Sequence, residues 1–175
     1  LAMDQGIDMV MTSGFGGWSF VPVENIGAVY SAALFSDSIY LGTNQGLFVG
    51  KMNGTDHKYR LIPGTQGQVW DVRVIGNHVI AGHNSGTFLI SGGKAVYLSR
   101  ISGAFSITRD VGDEDGFLQC TYSNLVKYKL ENGVLKQNRV FYNFNELIRF
   151  IETDHLGNIW LAHMHRGLFQ LRYNT

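Results

Sequence analysis

One pattern recurs four times along this chain: a short apolar strand, a polar turn of three to five residues, and a second apolar strand. The copies occupy residues 39–50, 79–90, 117–128 and 159–171, reading IYLGTNQGLFVG, VIAGHNSGTFLI, FLQCTYSNLVKY and IWLAHMHRGLFQL. Glycine closes the turn at Gly46, Gly86 and Gly167, and Asn124 holds that place in the third copy, giving intervals of 40, 38 and 43 residues. Glycine and asparagine enter left-handed backbone most cheaply, so Asn124 is expected to replace glycine in that geometry. An all-strand unit of about 40 residues has the spacing of propeller blades. The chain is therefore expected to be all-β, a partial or small β-propeller of about four blades of four antiparallel strands plus a partial blade.

The flanking text supplies the other strands. Candidates are 28–35, 39–42, 47–51 and 58–62 in the first unit, and 69–75, 78–82, 87–90 and 95–100 in the second. The third unit starts near Phe105 and continues through 117–121, 125–130 and 134–142. The fourth has 147–153, 159–162 and 168–173, one strand short. Residues 7–12 and 18–23 flank a glycine-rich stretch and read as the tail of another blade. These runs are too short, too β-branched and too often broken for helices; 143–146 has room for one helical turn. Blades are expected at 1–26, 27–66, 67–104, 105–146 and 147–175, together one propeller domain or a slice of a larger one. Neighbouring blades must stack to bury their apolar faces. That assigns Tyr40, Leu118 and Trp160 to one repeated core slot and Leu47, Leu125 and Leu168 to another, with Thr87 the exception.

Charged residues are 16% of the chain, 14 basic and 14 acidic, in no run of either sign. That balance lacks the footprint of a nucleic-acid binder or of a polybasic membrane surface, so neither partner is expected. Cys120 is the single cysteine, which leaves no internal disulfide and reads as a buried strand residue. No run approaches the roughly 18 apolar residues of a membrane span. The opening residues lack the n-region and h-region of a signal peptide.

The run 154–162 (DHLGNIWLA) followed by Arg166-Gly167-Leu168-Phe169 resembles the propeller repeat in the periplasmic sensor regions of two-component regulators. It looks most like the large hybrid histidine kinases of gut Bacteroides-type bacteria. Residues 44–48 fit the same pattern with Thr43 in its threonine slot, which is His163 in the last copy. Unit two departs at Thr87, and unit three lacks both the glycine and the tryptophan-type residue. The resemblance implies a propeller outside the inner membrane that recognises carbohydrate breakdown products. It also implies a membrane helix and a kinase elsewhere in the parent protein, so this segment itself is expected to be non-catalytic and periplasmic.

Propeller geometry places the second-to-third-strand turns and the blade-joining stretches on one face, where binding residues are usually carried. On that ground Asn44, Gln45, Trp70, His83, Asn84, Tyr122, His163, His165 and Arg166, with Asn145 beside them, form a candidate platform for an oligosaccharide. Amides and an arginine would bond hydroxyls, and aromatic planes would lie against a sugar face. No metal is expected, because zinc needs three or four ligands and no carboxylate recurs in these turns. Asp113, Glu114 and Asp115 lack calcium-loop spacing and read as a solvated hairpin tip. Asp37 and Asp154 are expected to cap their own turns. No cofactor fingerprint or nucleophile elbow is present. Glu24, Glu146 and Glu152 carry carboxylates, but nothing in the sequence selects a glycosidase pair. Alternatives are a structural or protein-interaction propeller and a lyase-like or hydrolase-like propeller. Open blade faces would favour a homodimer or packing against the rest of a parent sensor.

Overall fold

Where each strand stops is decided by turn residues with unusual backbone freedom. Asn132 (φ 51°) and Gly133 (φ 78°) both sit in left-handed backbone between two strands, the geometry whose twist matches a tight antiparallel hairpin. The computed structural model describes residues 25–52 and 58–172, with two short strands, β1 (Ala2–Met3) and β2 (Gly6–Ile7). Most of the expected strand at 7–12 and all of that at 18–23 lie outside the described residues.

Fifteen further strands form four antiparallel sheets. The first holds β3 (Val29–Phe35), β4 (Ser38–Thr43), β5 (Leu47–Lys51) and β6 (Arg60–Leu61). The second holds β7 (Val69–Ile75), β8 (His78–His83), β9 (Gly86–Ser91) and β10 (Lys94–Ser99). The third holds β11 (Ile107–Arg109), β12 (Gly116–Cys120), β13 (Leu125–Glu131) and β14 (Val134–Phe141). Among the described residues the fourth holds β15 (Ile148–Thr153), β16 (Ile159–His163) and β17 (Gly167–Leu171). Within each sheet the strands pair in chain order, the meander of a propeller blade. The structure is thus all-β, with no sheet closed into a barrel, as a partial or small propeller requires.

Apolar clusters lie between successive sheets. Leu47, Val49, Val72 and Phe88 join the first and second. Ile80, Leu89, Phe117 and Val126 join the second and third. Phe105, Leu118, Ile151 and Leu161 join the third and fourth. Thr87 enters the leucine slot without breaking this rule. It is 1% exposed, and its hydroxyl bonds the Gln119 carbonyl oxygen at 2.6 Å and the Tyr128 hydroxyl at 2.9 Å. A buried hydroxyl costs little once it is bonded. Enclosure of Tyr128 pushes its phenol up to about 12, so it remains a donor.

Several expectations change. Leu168 is 63% exposed, while Leu47 and Leu125 are buried, because no described sheet follows the fourth to cover its slot. Asn124 does not enter left-handed backbone; its N–H is held by the Thr121 hydroxyl at 2.9 Å. The segment 143–146 is an irregular turn, with Phe144 N–H donating to Phe141 O, and not a helical turn. The acidic tip is docked: Lys127 Nζ lies 2.9 Å and Lys129 Nζ 3.2 Å from Asp113. The Lys127 hydrogen bond holds the Asp113 carboxyl below its usual range. Asp154 caps as expected, accepting from Leu156 N, Asn158 N, Asn158 Nδ2 and Trp160 Nε1 at 2.8–2.9 Å. Asp37 takes part through its main-chain carbonyl, which accepts from Met52.

Candidate functional site

Second strands β4, β8 and β16 end at Thr43, His83 and His163, Thr121 directly follows the end of β12, and all four do one job. Thr43 Oγ1 accepts from Gln45 N and Gly46 N at 3.0 and 3.2 Å. Thr121 Oγ1 accepts from Asn124 N. His83 Nδ1 accepts from Ser85 N at 3.0 Å, and His163 Nδ1 accepts from His165 N and Arg166 N, each at 3.0 Å. An imidazole nitrogen here replaces a threonine hydroxyl. Because Nδ1 accepts, the proton of each neutral ring sits on Nε2. That atom faces Gln66 O at 3.3 Å in His83 and Glu146 Oε2 at 3.3 Å in His163. Burial pulls the His83 pKa below 6.5.

These turns join the sheet-connecting stretches in a continuous hydrogen-bonded belt. Asn44 N donates to Ala28 O, Gly67 N to Gln45 O, Asn84 N to Gln68 O, and Gly103 N to Asn84 O. The belt reaches Tyr122, whose N–H donates to Ser102 O. Gly27, Gly67 and Gly103 recur just before the innermost strands, all at positive φ. A side chain there would strike Asn44, Asn84 with His83, and the Tyr122 ring respectively. The belt therefore gathers Asn44, Gln45, His83, Asn84 and Tyr122 on one side of the sheets. In the fourth sheet Met164 N donates to Leu147 O in the same manner. There Glu146 receives both Arg166 Nη1 contacts at 2.9 and 2.8 Å, and His165 packs edge-on against His163 with centroids 6.3 Å apart. His163, His165 and Arg166 thus form a local cluster beside Glu146, and no hydrogen bond ties the Asn145 side chain to it.

Trp70 leads to a second group. The first, second and fourth innermost strands carry a β-bulge at one position, where register slips between Val29 and Ser31, Val69 and Asp71, and Ile148 and Phe150. In the third sheet Phe105 N and Ser106 O both bond Cys120, so Phe105 holds the same place. A bulge adds one residue and re-aims its side chain. The four re-aimed residues are Tyr30, Trp70, Phe105 and Arg149. Tyr30 stacks on Trp70 with centroids 5.1 Å apart at 26°, and Trp70 lies 5.5 Å from Phe105. Arg149 Cζ sits 4.6 Å from the centroids of both the Trp70 and Phe105 rings. Phe105 is also edge-on to Tyr122 at 5.3 Å, which connects this group to the turn belt.

Beside the rings, Asp71 ties three innermost strands together. It accepts from Ser31 Oγ at 3.2 Å, Arg73 Nε at 3.1 Å and Ile107 N at 3.3 Å. Tyr30, Trp70, Asp71, Phe105, Arg149 and Phe150 surround a cleft of about 170 Å³. Trp70 Nε1 is enclosed there without an acceptor among the described residues. Sequence reasoning found Trp70 and missed Tyr30, Phe105 and Arg149. Their signal is positional: like Trp70 after Val69, they come one step after Val29, Ala104 and Ile148, each the second residue of an innermost segment.

No family model and no curated protein matches this chain. Solved structures do. The extracellular domain assigned to a hybrid two-component system of B. thetaiotaomicron superposes with a TM-score of 0.75 at 19% identity, covering 99% of this chain and 24% of that one. A second such domain from B. thetaiotaomicron gives 0.66 at 19%, covering 86% and 22%. The WD40 β-propeller domain of Doa1 gives 0.64 at 18%, covering 98% and 62%. The chain spans about a quarter of the length of the first of these. At such identities the likeness carries the architecture alone, and what it identifies is a run of β-propeller blades like those in extracellular domains of two-component sensors.

Proposed function

We propose that this chain is a non-catalytic segment of the extracytoplasmic, periplasmic sensor region of a hybrid two-component regulator, and that it recognises a carbohydrate-derived ligand. The observation that carries this reading is the bulge-aligned aromatic group Tyr30, Trp70 and Phe105, joined through Tyr122 to a belt of turns. Aromatic faces beside convergent hydrogen-bonding groups suit a sugar, which has an apolar C–H face and a hydroxylated rim. The likeness to extracellular domains of two-component systems supports the sensor assignment. The rest of a parent sensor would be the partner that converts ligand binding into a change of packing. Calorimetry of a soluble oligosaccharide panel tests the reading: saturable heat is expected, and chromatography of the same mixtures is expected to show no turnover. A panel without heat would sink it.

A specific observation favours a second reading, a propeller that docks protein. The outer edge of β17 has no partner strand among the described residues, and Leu168 on β17 and Met164 in the turn before it are 63% and 48% exposed. Unpaired edges and clustered apolar groups are association surfaces. No heat with sugars together with a dimer in sedimentation would favour this reading over the first.

A further inference from the structure

We propose that the cleft between the innermost strands selects an acidic sugar, a uronate, whose carboxylate pairs with Arg149; this rests on the carbohydrate-sensor reading above. The guanidinium of Arg149 lies over Trp70 and Phe105 at 4.6 Å from each centroid and 5.8 Å from Phe150. A cation held over ring faces in this way still has N–H donors that need acceptors. Among the described residues no carboxylate pairs with Arg149 and no hydrogen bond engages it, whereas Arg166 is held by Glu146 and Lys127 by Asp110 and Asp113.

Charge within the cleft points the same way. Two arginines and one carboxylate line it: Arg73, Arg149 and Asp71. Asp71 is committed to Arg73, Ser31 and the Ile107 amide, so it opposes Arg73 and leaves the charge of Arg149 uncompensated. The complement of a planar guanidinium is a flat two-oxygen anion, because two parallel N–H···O bonds can form to it. The rest of the lining suits a sugar ring. Tyr30 is 39% and Phe150 60% exposed, so each offers an aromatic surface at the opening. The volume of about 170 Å³ lies below the roughly 300 Å³ where drug-sized sites begin, so a single ring of a longer chain enters.

Calorimetry of the intact chain with uronate disaccharides of galacto and gluco configuration, against their neutral counterparts, tests this. At least one uronate is expected to bind at least tenfold more tightly than its neutral twin, with affinity that falls as salt is raised. Arg149→Met should remove that preference, and Arg149→Lys should retain part of it, since charge remains while the bidentate geometry is lost. If Arg149→Met fails to fold by circular dichroism, the unaltered protein and Arg149→Lys still decide. Equal binding of neutral and acidic sugars, insensitive to salt and to Arg149→Lys, overturns the acidic preference and leaves the sensor reading intact. Absence of binding across the whole oligosaccharide panel overturns both.

Discussion

At the end of each second strand an acceptor must meet the amides of the following turn, and this chain uses threonine twice and histidine twice for it. The difference is pH. His83 is 3% exposed, and burial lowers its pKa from 6.5, so the unfolded chain binds the proton more readily. Its contribution to stability is therefore present above about pH 6.5 and lost as pH falls towards the folded value. His83→Thr should keep the turn and flatten this dependence, read as a smaller change in urea midpoint between pH 7.5 and 5.5 than the parent shows. Asp154 follows the carboxylate rule. Hydrogen bonds from Trp160 and Asn158 hold its carboxyl well below 3.8, so its contribution is present above that value and drains away as pH falls below it. Asp154→Ala should lower the melting temperature at pH 7, with the deficit shrinking under strong acid.

For an element, what matters is which neighbour covers it. Leu47 on β5 and Leu168 on β17 share a repeat position, yet one is 0% and the other 63% exposed. Leu47→Ala should cost about 2–5 kcal/mol, the range for a buried leucine, and Leu168→Ala should stay within about 0.5 kcal/mol; denaturant titration of both variants measures the contrast. The innermost strands are coupled differently, by one side chain. Asp71 is 8% exposed and serves donors on β3, β7 and β11. Asp71→Ala strands the Ile107 amide and the Ser31 hydroxyl and should cost about 1–3 kcal/mol. Hydrogen exchange should show faster opening at Ile107 and Val72 in that variant.

At the scale of the whole molecule, the four described sheets stack in series, and among the described residues no strand pairs with the outer edge of β17. The chain is expected to self-associate through that edge at micromolar concentration, and a monomer by sedimentation velocity would contradict this. Much of this arrangement was legible in the sequence. Gly46, Gly86 and Gly167 marked the turns, and short β-branched and aromatic runs between such turns marked the strands. The Asp154, Asn158 and Trp160 cap also lay within one short run, because local hydrogen bonds use neighbours in the chain.

The candidate platform was only half legible. Asn44, His83 and Tyr122 could be named from their turns and Trp70 from its place next to a blade-joining stretch, but two of their roles could not be foreseen. The histidines anchor backbone amides through Nδ1, and Tyr122 roofs Gly103. Tyr30, Phe105 and Arg149 went unread because a β-bulge adds one residue without any composition of its own, and only strand pairing reveals it. Sequence by itself determined the repeat and the strand content, since those follow from backbone preferences of adjacent residues. Tertiary structure alone decided that Arg149 would rest on rings 79 and 44 positions earlier, at Trp70 and Phe105, and that Leu168 would stay uncovered. Such contacts depend on how the sheets stack, and no local pattern encodes which sheet a side chain will meet.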